Sequence, residues 1–447
     1  MKQAKRTMSV EMMLALGFLA IIALGTILLS LPHAGESGRA VPVWTALFTS
    51  VSATCVTGLT LVDIARTFSL FGQIVIMLLI QVGGLGFMIV ATAMTVFVRK
   101  RITLRSRALL SESMSLPGLS GTVRRSINFL LIVLAVELLG AALLSVRLIP
   151  LLGVKRGIFY SVFHSVSAFC NAGFDLFSTK GSLTSFAHDP YLLSIIALLI
   201  ISGGLGFAVL AEVFSLKRFQ KLSLHSKVVL TTSGVLLVGG AVLIALVEWN
   251  NPATLGALPV GDRIVNALFQ SVTTRTAGFN ALPQDGLRDG GKLLSGILMF
   301  IGASPVSTGG GVKTTTIFML FAFVISFAKG QEEVTAFQRS LPLSITRAAL
   351  CILVIFLSLV FTGILLLSLM NPAIQLVDVG YEVASALGTV GLTSAGTAHF
   401  SKPSQALLML YMYIGRVGPV TLMLTLTNRM ETKSVAIHYP KEQMLVG

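Results

Sequence analysis

The chain has 447 residues, 54% of them hydrophobic and only 11% charged, against about a quarter charged in an ordinary soluble domain. That composition excludes a soluble globular protein and predicts an all-α membrane protein. The net charge of +15 would suit a nucleic-acid binder, but its placement excludes one: 20 of the 33 Lys and Arg lie in the N-terminus, residues 99–125, 215–227, 329–347 and the tail from Arg429. By the positive-inside rule those five segments, and both termini with them, face the cytoplasm, where they set topology and meet lipid headgroups.

The first apolar run, residues 12–32, follows the basic start "MKQAKRTMSVE". It reads as a retained helix, because it is longer than a signal-peptide core and no small-residue cleavage site stands out. Further apolar stretches long enough to span a core of roughly 30 Å follow at 126–146, 190–211, 228–247, 343–370 and 404–428. Counting interrupted ones, eight spans are expected.

Between the spans an internal repeat appears. "FTSVSATCVTGL" ends at Leu59, "FHSVSAFCNAGF" at Phe174, "FQSVTTRTAGF" at Phe279 and "SALGTVGL" at Leu392, sharing Gly58, Gly173, Gly278 and Gly391 roughly 105–115 residues apart. A second match follows each: "QVGGLGF" from Gln81, "ISGGLGF" from Ile201, "FIGASPVSTGGGVKTTT" from Phe300 and "YIGRVGP" from Tyr413. The unit is helix, pore loop, helix, in four copies. We divide the chain into repeat 1 (1–100), a cytoplasmic loop with repeat 2 (101–223), repeat 3 (224–335), and repeat 4 with the tail (336–447).

The stretch before each shared glycine is about 10–12 residues, too short to cross a bilayer. It must re-enter or lie at the interface, and irregular backbone at membrane depth is tolerated only beside a water-filled path or inside protein. Four such turns around one axis predict a pseudo-four-fold pore. Carbonyls of Val56 and Thr57 before Gly58, Asn171 and Ala172 before Gly173, Thr276 and Ala277 before Gly278, and Thr389 and Val390 before Gly391 could replace a cation's hydration shell, as in potassium-channel filters. Short helices aiming their negative ends at the centre would favour the same charge. Any one glycine could equally mark close helix packing; it is their joint placement that favours ion binding.

The third repeat differs from the others. Gly302, Ala303, Ser304, Pro305, Val306, Ser307, Thr308, Gly309, Gly310 and Gly311 interrupt an apolar segment, and a proline among glycines cannot remain regular helix there, so an intramembrane loop is expected over 302–316. Lys313 in that loop is as readily a structural or snorkelling lysine as a gating one. Arg416 lies in an apolar run, where facing lipid would cost at least about 2.5–3.5 kcal/mol, so it should face the pore or the loop. Arg275 is expected to support the turn from behind. Glu137 needs a partner that the sequence does not identify.

Cys55 and Cys170, three residues before their glycines, read as packing residues; with Cys351 they suggest no disulfide framework, and the six histidines suggest no metal site. No dinucleotide fingerprint or P-loop occurs, so any response to ATP or ADP requires another polypeptide.

Through its four loop glycines, "TTRTAGFN", "LGTVGLT" and "YIGRVGP", nearly the whole chain resembles the Trk/Ktr/HKT superfamily of potassium transporters, and within it the Ktr-type bacterial membrane subunit. The resemblance implies potassium uptake across the bacterial cell membrane by a homodimer, each protomer with its own pore and no cofactor. It implies a cytoplasmic ring of nucleotide-binding regulatory subunits of the RCK/KTN type, for which loops 99–125 and 215–227 are docking candidates, and a tail, "HYPKEQMLVG", near the dimer interface. It also implies that the loop over 302–316 is the gate, with Arg416 as a barrier to cations beneath the filter. Glycine at all four positions goes in that family with potassium preference, while sodium activation is left open. Lacking the Tyr-Gly of channel filters, this one should be shorter and less discriminating. A coupled secondary transporter of another small solute is the rival reading, but that class favours midplane ionisable groups and inverted repeats. A membrane enzyme would need convergent catalytic groups, and none is evident.

Overall fold

The computed structural model of the chain describes residues 10–86, 122–177, 182–215, 218–331 and 333–418. Most of the basic segment 99–125 and the tail with "HYPKEQMLVG" therefore lie outside the described residues. Four helices there are long and apolar enough to cross a membrane: Met12–Leu29, Ser126–Leu152, Leu224–Glu248 and Leu343–Met370. They are apolar on every side, and Leu24, Ile27, Leu138, Leu246 and Phe361 stand exposed on them, the surface expected of a helix solvated by lipid.

Each of these outer helices is followed by a short helix that stops before the shared glycine: Val43–Thr54, Val154–Phe169, Val260–Thr273 and Leu376–Gly388. At 12, 16, 14 and 13 residues they are mostly longer than the sequence suggested, and all are still too short to span. A return helix comes next: Leu70–Leu85, Pro190–Leu205, Asp289–Phe300 and Lys402–Val417.

Small residues let the three helices of each repeat close together. A β-carbon on Gly25, Gly140 or Gly240 of the outer helices would lie closer than 3.0 Å to the hydroxyl of Ser50, Ser165 or Ser271 on the short helix. Those serines donate to outer-helix carbonyls, Ser50 to Ile22 at 2.8 Å, Ser165 to Glu137 at 2.6 Å and Ser271 to Leu237 at 2.8 Å. The fourth repeat replaces the serine by Val383 and adds Tyr411, whose hydroxyl donates to Leu359 at 2.7 Å beside Gly363. Gly83, Gly203 and Gly415 of the return helices press in the same way on the carbonyls of Thr54, Phe169 and Leu387 in the last turn of their short helices.

The return helices break at one shared place, which the sequence pattern did not reveal. Leu85, Leu205 and Val417 are each followed by a glycine with φ of 79°, 93° and 92°, at Gly86, Gly206 and Gly418. In repeat 2 the helix resumes as Phe207–Ser215 after a bend of 104°. In repeat 3 the break widens into an irregular segment, residues 301–313, before Thr314–Ala328. The expected loop over 302–316 is thus shorter than anticipated: Thr314, Thr315 and Thr316 form the first turn of the resumed helix. A two-stranded hairpin, Val334–Ala336 with Arg339–Leu341, leads into the fourth outer helix.

Gly203→Ala should destabilise the protein by about 1–3 kcal/mol, because its β-carbon meets backbone that cannot move aside. Gly239→Ala, mid-helix with nothing within 4 Å, should leave stability unchanged or raise it by up to about 1 kcal/mol. Heat-induced loss of the monodisperse peak in detergent compares them; a lower midpoint for Gly239→Ala than for Gly203→Ala would contradict the packing described.

Candidate functional site

The four short helices end on one ring. Val56, Asn171, Thr276 and Thr389, each two residues before its glycine, have φ of 57°, 58°, 73° and 51°. The glycines themselves, Gly58, Gly173, Gly278 and Gly391, have φ of 96°, 66°, 81° and 98°, and the residue between is not in the left-handed region. Alternating handedness turns successive carbonyls the same way, and the left-handed turns are strained for Val and Thr. Four copies of that strain on one axis are what a functional site would retain.

The order around the ring follows from contacts. A β-carbon added to Gly58 would lie 2.5 Å from the carbonyl oxygen of Ala172, and one added to Gly173 would lie 2.6 Å from that of Ala277. At Gly278 it would collide with the oxygen of Val390, and at Gly391 with the oxygen of Thr57. Repeat 1 meets 2, 2 meets 3, 3 meets 4 and 4 meets 1, so the ring closes. Each glycine is obligatory twice over, for its φ and for the neighbour's backbone. The negative ends of the four short helices converge here with Thr57, Ala172, Ala277 and Val390.

On one side of the ring a cavity of about 330 Å³ is lined by all four glycines together with Asp63, Asp175, Asn280 and Thr393. Partial burial pushes the Asp175 carboxyl up to about 6, against the hydrogen bonds from Phe177 and Ser182 that favour its charge.

On the other side lies the irregular segment. Its Thr308 hydroxyl donates to the Phe169 carbonyl at 3.2 Å, and the Gly310 amide donates to Thr389 Oγ1 at 3.1 Å. Gly309 fits against Thr276 Oγ1 so closely that a β-carbon would collide with it, and Thr276 meets the Asn171 side chain at 3.1 Å. The segment also takes up backbone that the broken return helices leave open: Thr308 and Ser304 amides donate to Gly203 and Gly204 at 3.3 and 3.1 Å, and the Phe207 amide donates to Val306 at 3.0 Å. Ala303 pairs with Gly310 at 3.3 Å, Val312 with Phe300 at 3.2 Å, and Ser307 Oγ with the Ser304 carbonyl at 2.6 Å. Pro305 sits beside Gly206, whose β-carbon would lie 2.7 Å from the Pro305 oxygen, and Gly302 and Gly311 approach each other too closely for side chains.

Arg416 faces this segment and not lipid. It occupies the place of Gly84, Gly204 and Ala303 in the other repeats, and its guanidinium donates to the carbonyls of Thr308, Gly83 and Gly84. Gly83 and Gly84 lie in the last turn of the first return helix, where a cation is favoured, and the Gly83 carbonyl also accepts the Gly86 amide at 3.3 Å. One side chain therefore caps repeat 1 and holds the segment of repeat 3 from repeat 4. Lys313 donates to the Gly309 carbonyl at 2.7 Å. Arg275 stands behind the ring, donating to Ser233 O at 3.3 Å and Ser233 Oγ at 3.4 Å. Glu137 has its partner, the Gln81 amide at 3.0 Å, with Cys170 Sγ at 3.8 Å. Cys55 and Cys170 are buried.

The sequence reading missed a polar cluster around the segment that follows Gly391. Lys292 of the third return helix pairs with Asp378 at 2.7 Å, and Ser394 donates to the same carboxylate at 2.6 Å. Glu382 accepts from Thr393 at 2.7 Å and Thr397 at 2.5 Å. Only the acidic residues within an otherwise apolar short helix could have signalled it.

The TrkH model, described as cation transport protein, matches residues 2–436. The chain belongs to the TrkH family of cation transport proteins. The family places it among transporters and not enzymes. Relatives include the Ktr system potassium uptake protein B of Bacillus subtilis, 39% identical over 97% of this chain and 96% of that protein. The potassium/sodium uptake protein NtpJ of Enterococcus hirae is 37% identical over 100% of this chain and 99% of that one. The crystal structure of the potassium transporter TrkH from Vibrio parahaemolyticus shares the fold, with a TM-score of 0.73 at 17% identity over 96% of this chain and 87% of that one.

Lys292→Met should destabilise the protein by roughly 3–5 kcal/mol, because it strands a largely buried carboxylate. Adding Asp378→Leu should recover most of the loss in the same thermal assay; equal stability of Lys292→Met and wild type would show that the pair is not buried as described.

Proposed function

We propose that the chain takes up potassium through the glycine ring, and the observation that carries this reading is the closed cycle of Gly58, Gly173, Gly278 and Gly391 against their neighbours' carbonyls. Potassium enters from the cavity bearing Asp63 and Asp175 and passes Thr57, Ala172, Ala277 and Val390, whose carbonyls stand in for water. The driving force is the membrane potential, about 2.3 kcal/mol per charge per 100 mV. In the eight-span arrangement each repeat contributes an outer and a return span, across a bacterial plasma membrane with both termini cytoplasmic. The relatives named for potassium uptake support the ion, and NtpJ, named for potassium and sodium, supports limited discrimination or a sodium contribution.

The segment 301–313 is the gate in this reading. It lies directly under the ring, and its ties to Thr389, Phe169 and Arg416 hold it across the path. Arg416 adds a positive charge where a cation must pass. Control by ATP or ADP comes from a separate cytoplasmic nucleotide-binding ring acting on a homodimer; the absence of a nucleotide fingerprint in the sequence and the "system" in the relatives' names support it.

Uptake into liposomes tests the reading. Deleting Ser307–Gly311 should raise potassium flux several-fold, Arg416→Gln should raise it less, and Gly278→Ser should let sodium compete with potassium. If all three leave flux and ion preference as in wild type, the glycines are packing residues and transport runs elsewhere.

A further inference from the structure

One buried hydroxyl per repeat has no part in the filter reading, yet each touches the filter backbone. Ser52, Ser167, Thr273 and Ser385 lie in the last turns of the short helices and are fully buried. Their carbonyls accept the amide of the residue before the glycine: Thr57 to Ser52 at 2.8 Å, Ala172 to Ser167 at 2.8 Å, Ala277 to Thr273 at 2.9 Å and Val390 to Ser385 at 2.8 Å. Their hydroxyls reach one or two residues further along the same strand. Ser52 and Ser385 accept the amides of Gly58 and Gly391, each at 3.0 Å. Ser167 and Thr273 donate to the carbonyls of Phe174 and Phe279, each at 2.7 Å.

This is not how hydroxyls in apolar helices usually bond. Thr26, Ser202, Thr231 and Ser358 each return to the carbonyl four residues back in their own helix, the ordinary local pattern. The four collar hydroxyls reach forward out of the helix instead. They do so even in repeat 3, where one residue fewer separates hydroxyl from glycine than in the other repeats.

We propose that Ser52, Ser167, Thr273 and Ser385 form a hydroxyl collar that positions the ring carbonyls and thereby sets the preference for potassium over sodium. Each residue clamps its strand at two points on either side of the ring carbonyl, so the peptide carrying Thr57, Ala172, Ala277 or Val390 cannot rotate to follow a smaller ion. The four are positioning residues, since none need touch the ion. The collar divides in two: neighbouring repeats 1 and 4 hold glycine amides, and neighbouring repeats 2 and 3 hold carbonyls beyond the glycine. The proposal rests on the ring being the ion path.

The test is the potassium-to-sodium uptake ratio in proteoliposomes, which does not depend on how much protein inserts. Thr273→Val keeps the shape and removes the donor to Phe279, and Ser385→Ala removes the acceptor of Gly391. Each should lower the ratio about five-fold, the worth of one hydrogen bond, and Thr273→Ser should restore it. Should Thr273→Val not insert, Ser385→Ala and Ser52→Ala decide. Unchanged ratios in the hydroxyl variants, with a changed ratio in Gly278→Ser, would overturn the collar and leave the filter standing. Unchanged ratios in all of them, Gly278→Ser included, would overturn both.

Discussion

Backbone against backbone at four glycines is the constraint on which the rest of the structure depends. No side chain fits at Gly58, Gly173, Gly278 or Gly391, so the four repeats must approach to main-chain contact, and every other feature serves that approach. Gly25, Gly140, Gly240 and Gly363 let the short helices seat against the outer ones, and Gly83, Gly203 and Gly415 let the return helices seat against the short ones. Serine hydroxyls fill the room that the first of these glycines open while satisfying themselves on outer-helix carbonyls. Ring geometry is thereby carried out to the lipid-facing helices through contacts that leave little slack.

Bringing helix ends to the centre of a membrane leaves amides and carbonyls without partners, and the structure answers this locally. The return helices of repeats 1, 2 and 4 all stop at a left-handed glycine. Carbonyls opened at Gly203 and Gly204 are taken by amides of segment 301–313, and Arg416 donates to those of Gly83 and Gly84. The irregular segment is thus the complement of the other breaks and not an isolated insertion. Polar groups of repeats 2 and 4 satisfy it, and its Val306 and Val312 pack against the apolar cores on either side.

Much of this was legible in the sequence, because the repeat is strict where backbone is exposed to backbone. The glycines of the ring, the break around Pro305 and the turn of Arg416 toward the segment follow from residues that an apolar chain does not otherwise tolerate. What escaped is whatever depends on which way a common residue points. Ser50 and Ser52 are two positions apart in one helix, yet the first bonds outward to Ile22 and the second inward to Gly58. The breaks after Leu85 and Leu205 were hidden because "GGLGF" looks like small-residue packing within a continuous span. Glu137 found its partner 56 residues away in Gln81, a pairing that only the docking of repeat 1 on repeat 2 creates.

Whether the ring binds potassium is measured most directly by the position of a heavy substitute, rubidium or thallium, from anomalous scattering by crystals of the protein grown in that ion. An ion path through the ring gives density on its axis, coordinated by the carbonyls of Thr57, Ala172, Ala277 and Val390 and weakened when sodium replaces the heavy ion. A ring without density, with the ion bound elsewhere among side-chain ligands, would contradict it.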